Sequence, residues 1–165
     1  MRAIFILIIM FFHSLGWSQN SIREDAKQMG EYLLKNDFEH YVNYTYPKVM
    51  KDMGGRQQLK QTLQKQMEEL LLQGVNIESI KYGEPSVILK EKKELQATLP
   101  QEVIFKTPNG KILFTSSLIC ISQNDGESWY FIDPGERTLE ILRITLPNIS
   151  KKLNVTPPQT SKLAE

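Results

Sequence analysis

The sequence holds one cysteine and two histidines in 165 residues. A lone cysteine excludes an internal disulfide framework, and so few thiols and imidazoles cannot fill a typical four-ligand zinc set. Neither a metal nor a cofactor is expected. Excess charge is missing too: 20 Lys+Arg stand against 19 Asp+Glu, a net charge of +1. A dedicated nucleic-acid binder carries a clear basic surplus, so that class is excluded. Long apolar runs are also absent, the longest being the ten residues Ala3–Phe12. A helix of that length rises only about 15 Å, too short to span a bilayer.

What is present begins with an address. Arg2, the apolar run, and Gly16 and Ser18 on either side of Trp17 follow the order of a secretory signal peptide, with cleavage between Ser18 and Gln19. Residues 1–18 are therefore expected to leave a periplasmic or secreted chain, which meets a membrane only through that segment before cleavage. Arg2 is the one charged residue removed, so Gln19–Glu165 carries 19 basic and 19 acidic residues. In an oxidising compartment a lone thiol must be buried or reactive. Cys120, within LFTSSLICIS and without a nearby cation, reads as buried packing.

The remaining chain divides by period. Ser21-Ile22-Arg23-Glu24 reads as a capping box, and Ile22, Ala26, Met29 and Leu33 recur at helical spacing to about Lys35. Asn36-Asp37 breaks and re-caps a short helix bearing Phe38, Tyr41 and Val42, which Tyr46-Pro47 ends. After Gly54-Gly55 a third helix runs from Arg56 to about Gln73 with Leu59, Leu63, Met67, Leu70 and Leu71 in one stripe. From Val75 the period becomes two. Strands are predicted over Val75–Tyr82, Ser86–Lys90, Leu95–Phe105, Lys111–Ser122 and Ser128–Asp133, with turns at Thr107–Gly110 and Asn124–Gly126. Pro100 suggests an edge position or a bulge for the third strand. Apolar residues on both sides of Lys111–Ser122 make that strand central. Leu139–Ile144 reads as a short C-terminal helix, and the polar tail Asn154–Glu165, with Pro157-Pro158, as disordered. The expected architecture is α+β: N-terminal helices packed on a curved, mainly antiparallel meander sheet, as one domain over residues 19–153.

That order resembles the nuclear transport factor 2-like superfamily, with its cystatin-like α+β cone and its SnoaL-like and ketosteroid-isomerase-like members. The resemblance is carried by the helix break at Asn36-Asp37-Phe38, the exit Tyr44-Thr45-Tyr46-Pro47, the Gly54-Gly55 step, and the closing Gly126-Glu127-Ser128-Trp129-Tyr130-Phe131-Ile132-Asp133. It covers about Ser21–Pro147, and the closing strand looks like that of exported bacterial members. The superfamily serves isomerases, dehydratases, ligand carriers and association modules, so the fold does not select among them.

The candidate chemistry is sparse. His40 is the one histidine after cleavage, and Asp37 stands three residues before it, so a carboxylate could orient an imidazole base; equally, Asp37 is an ordinary helix cap beside a surface histidine. In ketosteroid-isomerase-like members a carboxylate and phenols act on a substrate carbonyl; the resemblance offers Tyr41, Tyr44, Tyr46, Tyr130 and Asp133 for those parts. Asp133 before Pro134-Gly135 is also a common turn former. Trp129 and Phe131 share one strand face and, with Phe114, Tyr41, Tyr44 and Tyr46, are expected around an apolar pocket, or else in the core and at a dimer face. Gly54-Gly55-Arg56 lacks the rest of a phosphate loop and reads as a connector, and Lys90–Glu94 as a solvated turn. The sequons at Asn43, Asn148 and Asn154 matter only for a eukaryotic source. The function expected is an exported binding module, taking a small apolar ligand or a protein partner, with a homodimer through the sheet face as a further expectation. The alternative is a small isomerase- or dehydratase-type enzyme using His40, Asp37 and Asp133.

Overall fold

A long helix forms wherever one apolar stripe finds a sheet to cover, and α1, at residues 19–34, buries Ile22, Ala26 and Met29 in this way. The computed structural model describes residues 19–163, so the segment read as a signal peptide lies outside the described residues. Residues 19 and 20 are already helical, and Ser21 therefore stands inside α1 instead of capping it. Its hydroxyl donates to the Gly126 carbonyl at 2.9 Å and accepts from the Trp129 indole N–H at 2.9 Å. The helix ends on Asn36 at φ 56°, with Asp37 N–H bonded to the Tyr32 carbonyl at 2.8 Å and Asn36 N–H to Leu33 at 3.0 Å. Asp37 then caps α2 (Phe38–Tyr41), accepting from His40 N–H at 3.2 Å.

A 3₁₀ turn (Val42–Tyr44) and α3 (Pro47–Asp52) lead to Gly54 and Gly55, both at φ 88°. Consecutive residues there favour glycine strongly, and the chain reverses into α4 (Arg56–Leu72). That helix ends in the same manner as α1: Gly74, at φ 73°, donates to Leu71 at 2.9 Å, and Val75 to Leu70 at 2.9 Å.

The sheet is antiparallel, open and six-stranded: β1 (Asn76–Tyr82), β2 (Leu89–Glu91), β3 (Glu94–Thr107), β4 (Gly110–Ser122), β5 (Tyr130–Ile132) and β6 (Gln159–Leu163). Its spine is the β3–β4 hairpin, paired from Leu95 with Ser122 to Thr107 with Gly110. Beyond β3 lie β1 and β2, one after the other along the same edge; beyond β4 lie β5 and β6. Strand β3 is thus central and its pairing with β4 runs through Pro100 without a register shift, against the expectation of an edge position or a bulge. Pro100 is accommodated because β1 ends opposite Gln101 and β2 begins opposite Gln96, so no partner strand asks for its missing N–H. Its carbonyl still accepts from Gly83 N–H at 2.9 Å.

Alternation along the hairpin separates two cores. One face presents Ala97, Leu99, Leu118 and Cys120 to α1, together with Trp129 and Phe131. Cys120 is fully buried, which pushes its thiol well above the ordinary range. The other face presents Ile119, Ile121 and Ile132 to Leu142 of α5 (Leu139–Thr145) and to Leu146, Ile149 and Leu153 behind it. Of the apolar residues read as core or dimer face, Ile119, Ile121 and Ile132 are in this way covered by the chain's own C-terminal segment. Gln96 bolts that segment down, accepting from Ser150 N–H at 2.9 Å and donating to the Asn148 carbonyl at 3.0 Å. Glu94, expected in a solvated turn, is buried instead and accepts from the Tyr46 hydroxyl and Gln123, both at 2.8 Å.

The tail departs most from its reading. Gln159–Leu163 pairs antiparallel with Lys111–Thr115, because β4 extends past β5 and leaves that stretch of edge with backbone groups to satisfy. Among the described residues, no helix is long and apolar enough to cross a membrane.

Trp129 joins α1 to β5 through its indole and through its backbone N–H, which donates to Asp25 at 2.8 Å. Trp129→Ala is expected to cost about 3–5 kcal/mol in urea unfolding. Ser21→Ala, which leaves a buried indole N–H without its acceptor, should cost about 1–3 kcal/mol.

Candidate functional site

The helices do not fill the whole of the sheet face they cover. Between α3 and α4 on one side and the β1, β3 and β4 strands on the other lies a cavity of about 390 Å³. Its roof is Val49, Met53, Leu59 and Leu63; its floor includes Val103, Phe105, Phe114 and Leu118. Phe105 and Phe114 meet edge-on with centroids 6.5 Å apart, and Tyr44 lies tilted on Phe131 at 6.4 Å. Of the α4 stripe only Leu59 is buried; Leu63, Met67 and Leu70 remain half-buried, and Leu71 is exposed because it turns off the side that faces the sheet.

Few polar groups enter this space, and they gather at one end. Gln101 is buried, and its amide donates to Ser116 Oγ at 2.8 Å and, at a long 3.4 Å, to Asp133 Oδ2. The other Asp133 oxygen accepts from Gly135 N–H at 2.9 Å. Arg137 stands at the rim and donates to the carbonyls of Pro134 at 3.0 Å and Asp133 at 3.2 Å. Tyr41 and Tyr82 complete the polar wall, and among the described residues neither phenol hydroxyl has a hydrogen-bond partner. Burial, reinforced by the Asp133 charge, pushes the Tyr41 phenol up to about 12. Tyr82 is raised in the same direction by burial and by its neighbour Tyr41. Both phenols are therefore neutral donors near pH 7.

The structure brings Tyr41, Tyr44, Phe114, Phe131 and Asp133 together around the cavity. It places the others elsewhere. His40 pairs with Asp37, Nδ1 to Oδ2 at 2.8 Å, and stacks on Tyr32 with centroids 5.1 Å apart, on the exposed surface of α2. Tyr46 and Tyr130 belong to the opposite face of the sheet, in edge contact at 6.4 Å, and Trp129 is buried beneath α1. The Tyr44 hydroxyl turns away to Gln28 Oε1 at 2.9 Å.

Tyr82, Gln101, Arg137 and the α4 leucines did not figure as site residues in the sequence reading. Gln101 carried a usable signal: it occupies the apolar phase of β3 between Leu99 and Val103, opposite Ser116 in the apolar phase of β4. Two polar residues facing each other inside an apolar row mark a place where the core meets something polar. No such signal distinguishes Arg137.

A larger, open groove of about 470 Å³ between α1 and β1 is lined by Arg23, Glu24, Lys27 and Lys81. Arg23 is held there by Glu84 at 2.6 Å, and the mixed charge suits a solvated surface better than a ligand site. No group of three or more His, Cys, Asp or Glu side chains suited to a metal occurs among the described residues. A scan against family models finds no match to this chain, and neither do searches of curated proteins and of solved structures.

The roof is pinned at its N-terminal end. Arg56 donates to Glu39 Oε1 from Nη2 at 2.8 Å and to Asn43 Oδ1 at 2.5 Å, and Lys60 reaches Glu39 Oε2 at 2.8 Å. These bonds, led by the one from Lys60, hold the Glu39 carboxyl down at about 2. A depressed carboxyl stabilises the fold above its ordinary titration range and loses that contribution as pH falls. The difference in thermal midpoint between the natural chain and Glu39→Gln should therefore be full above about pH 4.5 and shrink towards pH 2. A difference that does not change over this interval would remove Glu39 as the pin.

Proposed function

We propose that this chain is an exported binding module that holds a small apolar ligand between α4 and the sheet. The observation that carries the reading is the cavity of about 390 Å³, apolar over most of its wall, with its polar groups gathered at one end. Small-molecule sites have this composition, and their volumes run from about 300 to 1,000 Å³. The helix breaks and closing strand that resemble the nuclear transport factor 2-like superfamily support the same reading, since a cone-like wrap of sheet around helices encloses a pocket there. The order of charge, apolar run and small residues before Gln19 supports export.

An acid–base enzyme on this scaffold is the weaker reading. His40 and Asp37 stand on the outside, so a proton-transfer site would have to work with Asp133 and a phenol as weakly acidic as Tyr41.

Two measurements test the proposal. The neutral dye 1-aminoanthracene should show saturable fluorescence enhancement with one site per chain, and Leu63→Trp, which fills the roof, should weaken it at least tenfold. Unsaturable enhancement, or binding indifferent to Leu63→Trp in a folded variant, would overturn the cavity as the site. Intact mass of the protein from its own source should correspond to a chain beginning at Gln19; a mass that includes residues 1–18 would overturn cleaved export.

A further inference from the structure

The polar end of the cavity says what kind of ligand head it suits. It offers a donor, the Tyr41 hydroxyl, which has no hydrogen-bond partner among the described residues. It offers an acceptor as well, the carboxylate of Asp133 at the exposed rim, whose Oδ2 has its protein donor at the long distance of 3.4 Å. A bond of that length leaves most of a carboxylate lone pair available. The Tyr82 hydroxyl, likewise unpartnered, is a second donor on the same wall.

Charge narrows the choice. Asp133 and Arg137 stand four residues apart at one rim, with the guanidinium bonded to the Asp133 carbonyl at 3.2 Å. Their charges are opposite, so the rim has no net charge to draw in an ion, and a ligand carboxylate or ammonium would each be attracted by one group and repelled by the other. A neutral head avoids both penalties. Among neutral heads, a ketone or ether oxygen only accepts and leaves Asp133 unanswered. A hydroxyl donates and accepts through one atom.

We infer that the cavity is built for an apolar alcohol, its hydroxyl donating to Asp133 Oδ2 and accepting from Tyr41, its hydrocarbon lying between Leu63 and the Phe105–Phe114 pair. This inference rests on the cavity being the ligand site, as proposed above.

Four probes of ten carbons each test it by titration calorimetry at pH 7 on the natural chain: 1-decanol, decanoate, decylamine and butylbenzene. Decanol should bind at least fivefold more tightly than butylbenzene and at least tenfold more tightly than either ion. Tyr41→Phe should lower decanol affinity to the level of butylbenzene, leave butylbenzene unchanged, and leave the thermal midpoint unchanged, because the hydroxyl removed has no hydrogen-bond partner among the described residues. Decanoate or decylamine equal to decanol would overturn the inference and assign the head to Arg137 or Asp133 alone. Equal binding of decanol and butylbenzene would also overturn it, while leaving the cavity as an apolar site. If none of the four binds, the cavity reading fails with it.

Discussion

The register of β3 against β4 is the constraint on which the other elements depend. Side chains alternate across a sheet, so a slip of one residue would send every buried group on one strand to the opposite face. Here both faces are buried along β4 from Ser116 to Ser122, and the slip has no cheap side there. Leu118 and Cys120 would leave α1, while Ile119 and Ile121 would leave the C-terminal segment. The polar pairs are bound to the same register. Gln101 meets Ser116 only in this pairing, and Gln96 reaches Ser150 only while its face is turned towards α5. The two long strands also decide where everything else is placed. Each outer edge is divided between two short strands, and Pro100 falls in the interval on its side.

Unequal cover on the two faces explains why a cavity exists where it does. On the C-terminal side, buried residues continue from Leu142 to Leu153 and close the face over Ile119 and Ile121, leaving Ile104 and Leu113 half-buried towards the turn. On the other side α1 closes only the end of the hairpin near Leu99 and Cys120. The remaining sheet lies under α4, whose position is set at its two ends. At the start, two glycines at φ 88° reverse the chain, and Glu39 draws in Arg56 and Lys60. At the finish, Gly74 sits so close to Pro108 of the β3–β4 turn that a Cβ there would lie 2.9 Å from its ring. A helix anchored at both ends cannot collapse onto the floor to remove the space between. Close packing would otherwise be the rule, since an apolar cavity costs stability in proportion to its volume.

Elements were legible in the sequence where one period dominated. The helix stripes, the two-residue turn at Pro108-Asn109 and the central position of β4 all follow from apolar spacing and turn chemistry. Other features depend on partners that are remote in sequence. Nothing in GLN-THR-SER-LYS-LEU, the residues of β6, alternates; they form a strand because β4 leaves an edge open for them. Ser21 has the spacing of a cap, but it serves Gly126 and Trp129 more than a hundred residues away. The site divides in the same way. Five of the aromatic and acidic residues picked out by type do face the cavity, yet Tyr46 and Trp129 do not, because an aromatic ring serves a core as readily as a pocket. Which of two faces a ring joins is decided by the chain that covers it, and local pattern carries no record of that.

The cavity wall is built from two kinds of element, and they differ in stiffness. Most of its polar atoms belong to the sheet end: Gln101 and Ser116 are locked as a cross-strand pair, Tyr82 ends β1 and Asp133 follows directly on β5, while Tyr41 reaches in from the end of α2. Its apolar roof belongs to α4, whose side-chain hydrogen bonds and ion pairs to the rest of the described chain run only through Arg56 and Lys60 near its first turn. Beyond that turn the roof is held by dispersion contacts from half-buried leucines and a methionine, which are non-directional and tolerate small shifts. Hydrogen bonds to a ligand head need fixed geometry, whereas contacts to hydrocarbon need only volume. On the ligand reading proposed above, selectivity for the head would fall to the strands and Tyr41, and capacity for the tail to α4. The same division follows from the fold alone, because the register that orders the hairpin does not extend to α4.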